Sequence, residues 1–114
     1  MSEVAARVLV EPGHAGRTYT LTGPAAISVP EQAAVLAEAL GRPVTTREPS
    51  ADESRDFLGA WGLGDEAVEA ILAGNAHVRR GRNEVVTDDV RTVLGRPARG
   101  YREWAEDHRE AFGR

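Results

Sequence analysis

Apolar positions fall into short helical stripes punctuated by proline and glycine. Val4, Ala5, Val8 and Leu9 recur at helical spacing and Pro12-Gly13 ends the run, which predicts a helix over 3–10. From Arg17 to Thr22, Tyr19 and Leu21 alternate with threonines, the pattern of a half-buried strand closed by Gly23-Pro24. Ser28-Val29-Pro30-Glu31 has capping-box spacing, in which the serine oxygen takes a first-turn amide and the glutamate reaches back to the serine amide. Val29, Ala33, Leu36 and Leu40 then share one helical face, with Gly41 as the stop. Val44 to Arg47 reads as a second strand. The order strand, helix, strand predicts a parallel pair with a right-handed crossover.

The second half reads as helix throughout. Ser50-Ala51-Asp52-Glu53 is another capping box, and Phe57, Leu58 and Trp61 follow on one face. Gly62 to Gly64 breaks the helix. Asp65 is the expected cap of the next, which carries Val68, Ile71 and Leu72 and runs through Gly74 toward Arg80, the internal glycine costing about 1 kcal/mol. Thr87 is the expected cap of a helix to Leu94, and Tyr101, Trp104, Ala105, His108 and Phe112 form one stripe on a last helix. The expected fold is a small α/β (α+β) domain over 1–114, two short parallel strands covered by about five helices. Two strands alone are marginal, so helices must cover the pair or another chain extend it.

Composition narrows the chemistry. The chain has 114 residues, 41% hydrophobic and 28% charged, with no cysteine and no lysine. No thiolate nucleophile, disulfide framework or cysteine-ligated metal is available. The expected setting is a reducing cytoplasm, without a membrane span. Net charge is −4, although residues 77–102 hold seven arginines against three acids. Most of these arginines read as helix ends and solvated faces, and with no nucleic-acid-binding signature no nucleic-acid partner is expected. Three histidines without close pairing give no ready metal site, and no metal is expected.

Thr18-Tyr19-Thr20-Leu21-Thr22-Gly23-Pro24 running into Ile27-Ser28-Val29-Pro30-Glu31, then Ala39-Leu40-Gly41-Arg42-Pro43-Val44, and finally Thr87-Asp88-Asp89-Val90, Gly95-Arg96-Pro97 and Tyr101-Arg102-Glu103-Trp104, occur in an order that resembles the C-terminal lobe of NmrA-like proteins, the atypical short-chain dehydrogenase/reductases. The resemblance runs from about Val4 to Phe112. It implies a lobe packed on a Rossmann sheet, with a substrate pocket between the two. The cofactor-binding half has no counterpart in the chain. Dinucleotide binding needs a glycine-rich turn from strand to helix, whereas Gly13 and Gly16 follow a predicted helix and precede a predicted strand. The tyrosine-lysine pair common in short-chain dehydrogenases is excluded by the absence of lysine. No cofactor is therefore expected to bind the chain alone.

Each candidate group has a plainer role beside it. Asp88 and Asp89 could be an acid/base pair, but neighbours on a helix point about 100° apart, which favours capping. His108 lies on the apolar stripe and reads as packing, and His14 sits in a turn without an evident partner. His77, with Asn75, Arg79 and Arg80, could form an acid/base or anion site, against a solvated helix end. Asp52, Glu53 and Asp56 precede Phe57 and Trp61. A carboxyl beside buried aromatics is held neutral to higher pH, which offers Asp52 or Asp56 as a general acid or base, against a capping-box role for Glu53 and a solvated helix face for the other two.

The candidate site is thus a pocket walled by Phe57, Leu58 and Trp61 on one helix and by Ile71 and Leu72 on the next. Asp56 and His77 would be its catalytic groups and Arg80 its anion contact. The first functional reading is a stand-alone lobe binding a small apolar or aromatic molecule, with a non-redox proton transfer such as isomerisation, cyclisation or hydrolysis. The alternative is a non-catalytic interaction or regulatory module, or a fragment of an NAD(P)-dependent reductase. A homodimer, with a separate Rossmann-domain protein as a further partner, is expected to cover the lobe's second apolar side.

Overall fold

The computed structural model describes residues 1–113, and these hold six α-helices: α1 (Ser2–Val10), α2 (Val29–Leu40), α3 (Ala51–Ala60), α4 (Asp65–Arg79), α5 (Asp89–Leu94) and α6 (Tyr101–Asp107). A 3-10 turn over Arg109–Phe112 follows α6. The chain forms two units, Met1–Thr45 with Val85–Arg114, and Thr46–Glu84.

No strand forms among the described residues, which corrects the expected α/β fold with two parallel strands. The 17–22 segment contributes Tyr19 and Leu21 to the core as its alternation predicts. Its polar groups, however, are satisfied by side chains instead of a ladder. The Thr20 amide donates to the Asp89 carboxylate at 2.6 Å, the Thr87 hydroxyl donates to the Thr20 carbonyl, and the Thr87 amide donates to the Thr22 hydroxyl at 3.0 Å. Residues 44–47 likewise form no strand. A pleated segment becomes a strand only when a second backbone presents matching donors and acceptors, and alternation alone does not supply one.

In the first unit, Val4 of α1 packs with Val90 and Val93 of α5, and Val8, Tyr19, Leu21, Leu94 and Ala98 close around them. α2 and α6 form a second contact, where Ala33 is buried and Ala105 is fully excluded from solvent. Two alanines at a helix crossing let the backbones approach closely. α6 ends at Asp107, shorter than the stripe to Phe112 predicts, yet the stripe survives the change to a 3-10 turn. The Trp104 ring stacks on Tyr101 and His108 at 5.4 and 4.9 Å and meets Phe112 edge-on at 5.8 Å. His108 also donates from Nδ1 to the Trp104 carbonyl at 2.8 Å.

The second unit is the α3–α4 hairpin. Val68 is its one buried residue among those described, with Leu58 and Leu72 half-buried beside it. Gly62, at φ 77°, makes the turn between the helices in the left-handed region where a side chain would be strained. The α4 cap is Gly64 rather than the expected Asp65, and Asp65 instead sits in the first turn where its charge complements the helix dipole. Likewise Asp88, not Thr87, precedes α5, because the Thr87 hydroxyl is committed to Thr20.

Both capping boxes form as the spacing predicts. Glu31 accepts from the Ser28 amide at 2.6 Å and Glu53 from the Ser50 amide at 2.8 Å. These amide donors hold both carboxyls below their usual value of 4.5, with Arg47 adding to the effect at Glu53. A carboxyl whose pKa is lowered in the folded state contributes stability that is present above its unfolded value and lost as pH falls through the folded one. Urea melts should therefore show stability falling below pH 4.5. The Glu31→Gln/Glu53→Gln variant should show a shallower decline, and a decline identical to that of the parent would remove the boxes as its cause.

Candidate functional site

A groove of about 440 Å³ runs along the α3–α4 hairpin. Pro49, Phe57, Leu58 and Ile71 form its apolar walls, Ser54 and Asn75 offer polar groups, and Arg47 and Glu53 complete the lining. The volume falls within the range of about 300–1,000 Å³ typical of small-molecule sites.

Local sequence explains the construction. The Ser50 box fixes where α3 begins, so Glu53 and Ser54 lie one turn before Phe57 and Leu58 on the same face. The Gly62 turn brings α4 back, and Arg55 ties the two helices, donating from Nε to the Glu69 carboxylate at 2.7 Å. That hydrogen bond raises the Arg55 guanidinium pKa and holds Glu69 low, so both stay charged. Glu53 accepts from the Arg47 guanidinium at 3.0 and 3.2 Å as well as from the Ser50 amide. It is thus an ionised, fully engaged carboxylate rather than a free acid or base.

Of the residues singled out in the sequence, the structure brings Phe57, Leu58 and Ile71 together in the groove. Trp61, Leu72, Asp56, His77 and Arg80 do not line it. Leu72 is half-buried in the hairpin, while Asp56, His77 and Arg80 are exposed. His77 contributes its backbone carbonyl to the end of α4, accepting from the Arg80 and Arg82 amides at 3.2 and 3.4 Å. The aromatic surroundings envisaged for Asp56 are open to water, since Phe57 is 60% and Trp61 72% exposed. The two rings form a tilted pair with centroids 5.4 Å apart. Arg47, Pro49, Glu53, Ser54 and Asn75 were not singled out as lining. Helical spacing would have supplied three of them, because Glu53 and Ser54 precede Phe57 and Leu58 by four and Asn75 follows Ile71 by four.

Other candidates resolve into structure. Asp89 anchors the 17–22 segment through Thr20. His14 has a partner that its turn position did not reveal. Its Nδ1 lies 2.8 Å from the Tyr19 hydroxyl and its Nε2 3.8 Å from Glu11. No helix among the described residues is long and apolar enough to cross a membrane.

Comparison with known proteins places reductases alongside nearly the whole chain. No family model matches it. The chain is 38% identical over 112 residues to a (4-alkanoyl-5-oxo-2,5-dihydrofuran-3-yl)methyl phosphate reductase of Streptomyces griseus subsp. griseus. It is 34% identical over 113 residues to an NAD(P)H azoreductase of Xenophilus azovorans. These matches cover 98% and 99% of this chain but only 39% and 40% of the relatives, so the chain spans about two fifths of their length. Among solved structures, the Citrobacter sp. triphenylmethane reductase complexed with NADP(H) aligns with a TM-score of 0.69 and 27% identity. That alignment covers 91% of this chain and 36% of the other.

Proposed function

We propose that this chain is the substrate-facing lobe of an NmrA-like, NAD(P)H-dependent reductase, acting with a Rossmann portion that holds the nicotinamide. The observation that carries this reading is the coverage of the matches. Reductases align with 98% and 99% of the chain, while some three fifths of each relative lies outside the alignment. A division of labour follows, in which the remainder of the enzyme binds cofactor and this lobe walls the substrate through Phe57, Leu58 and Ile71. The non-redox proton transfer expected at Asp56 and His77 has less support, because both side chains are exposed and neither lines the groove. In the reductase the reducing equivalent is a hydride from the nicotinamide, and the lobe's part is to orient the acceptor and exclude water around it.

Self-association belongs to the same reading. Leu9 and Val10 on α1 are 83% and 82% exposed, and contiguous apolar surface of this kind is usually covered. A Rossmann portion or a second copy in a two-fold dimer would each cover it. A cytoplasmic setting suits an enzyme that draws on NADPH.

Calorimetric titration of the chain with NADPH tests the division of labour. The expected result is no binding in the low micromolar range. Heat of binding that saturates there would place the cofactor site on this chain and overturn the proposal.

A further inference from the structure

The α3–α4 unit leaves most of its apolar surface uncovered. Val68 alone is buried among its described residues, while Phe57, Trp61 and Val78 are each more than half exposed. Chains of about 40 residues or fewer usually rely on a disulfide, a metal or association for stability, and this unit holds no cysteine. The exposed residues are ordered along the hairpin. Phe57 and Ile71 adjoin in the groove, Trp61 follows Phe57 by four toward the Gly62 turn, and Val78 follows Ile71 by seven toward the opposite end. Charge is divided along the same axis. Residues 56–68, at the turn, hold Asp56, Asp65 and Glu66 and no basic side chain, whereas residues 77–82, at the opposite end, hold Arg79, Arg80 and Arg82 and no acid. Arg79 is paired with Glu48, but Asp56, Asp65, Glu66, Arg80 and Arg82 have no ion-pair partner among the described residues.

We propose that a second copy of this chain covers this face, hairpin against hairpin about a two-fold axis, in a four-helix arrangement. The charge division fixes the direction. With the hairpins antiparallel, Asp65 and Glu66 of each copy meet Arg80 and Arg82 of the other, and Trp61 of each meets Val78 of the other. Parallel pairing would set acid on acid and guanidinium on guanidinium, and like charges placed together at an interface oppose association. A two-fold contact repeats each pair, so a face that is acidic at one end and basic at the other is complementary to itself. That self-complementarity points to a second copy rather than to another polypeptide. The groove lies between the two contact ends, so a bound acceptor would be enclosed by both copies. The interface is a property of this chain alone and does not rest on the reductase reading.

Sedimentation velocity of the chain at high micromolar concentration tests the pairing. The parent should be a dimer, and Trp61→Glu should weaken it at least about ten-fold. Asp65→Arg/Glu66→Arg and Arg80→Glu/Arg82→Glu should each dissociate alone, because each sets like charges together. An equimolar mixture of these two variants should recover the dimer, since every contact then joins opposite charges. All the substituted residues are exposed, so the three variants should keep the helical circular dichroism of the parent. A strictly monomeric parent, which would leave the face to another polypeptide, overturns the proposal. So does a dimer that persists in the Trp61 variant, or a mixture of the charge-reversed variants that stays monomeric. None of these outcomes touches the reductase reading, whose own tests are cofactor titration and turnover.

Discussion

Ala105→Asp should unfold the first unit or lower its melting temperature by roughly 15 °C or more. Ala105 has no solvent-accessible surface and sits where α6 meets α2, with Ala33 buried in the same layer. An aspartate there has neither room nor a partner. An uncompensated buried charge costs about 3–5 kcal/mol, and a unit of this size gains a total stability of about 5–15 kcal/mol. Each kcal/mol corresponds to about 4–8 °C at this length. Ala105→Gly is the appropriate control, since it removes only a methyl group and helix propensity at about 1 kcal/mol. Thermal melts followed by circular dichroism distinguish the two. An aspartate variant as stable as the glycine variant would show that the α2–α6 contact is not a packed layer.

The helices were legible in the sequence because their determinants are local. The Ser28 and Ser50 boxes, the left-handed Gly41 stop and the Trp104 stripe each depend on residues within one or two turns, and all appear in the structure. The strands were not legible because a ladder depends on a second backbone. Tyr19 and Leu21 alternate correctly and are packed correctly, but Thr87 and Asp89 supply the hydrogen bonds. Cap positions erred for the same reason. Thr87 has the chemistry of an N-cap, and only the fold shows that its hydroxyl is committed elsewhere.

The groove was partly legible. Phe57, Leu58 and Ile71 follow from helical spacing and the short turn between α3 and α4. The sequence does not reveal that Trp61, one turn beyond Phe57, stays outside the lining, because α3 ends at Ala60 and leaves Trp61 at its C-cap, 72% exposed. Nor could it reveal how the charges pair. Arg47 with Glu53 and Arg55 with Glu69 are engagements across turns and helices.

We propose that this chain determines the substrate, and not the cofactor, of a nicotinamide-dependent reductase. Exchange into a relative tests it most directly. The 113-residue stretch of the Xenophilus azovorans azoreductase that matches this chain would be replaced by this chain, and NADPH oxidation would be followed with a panel of cationic and anionic dyes. Deleting the stretch outright should cost turnover at least about a hundred-fold, because nothing then positions the acceptor. In the exchanged enzyme, NADPH affinity should stay within a few-fold of the parent while the ranking of dyes departs from that of the parent. An exchanged enzyme that binds NADPH normally but keeps the azoreductase's own substrate ranking, or turns over no dye at all, would contradict the account.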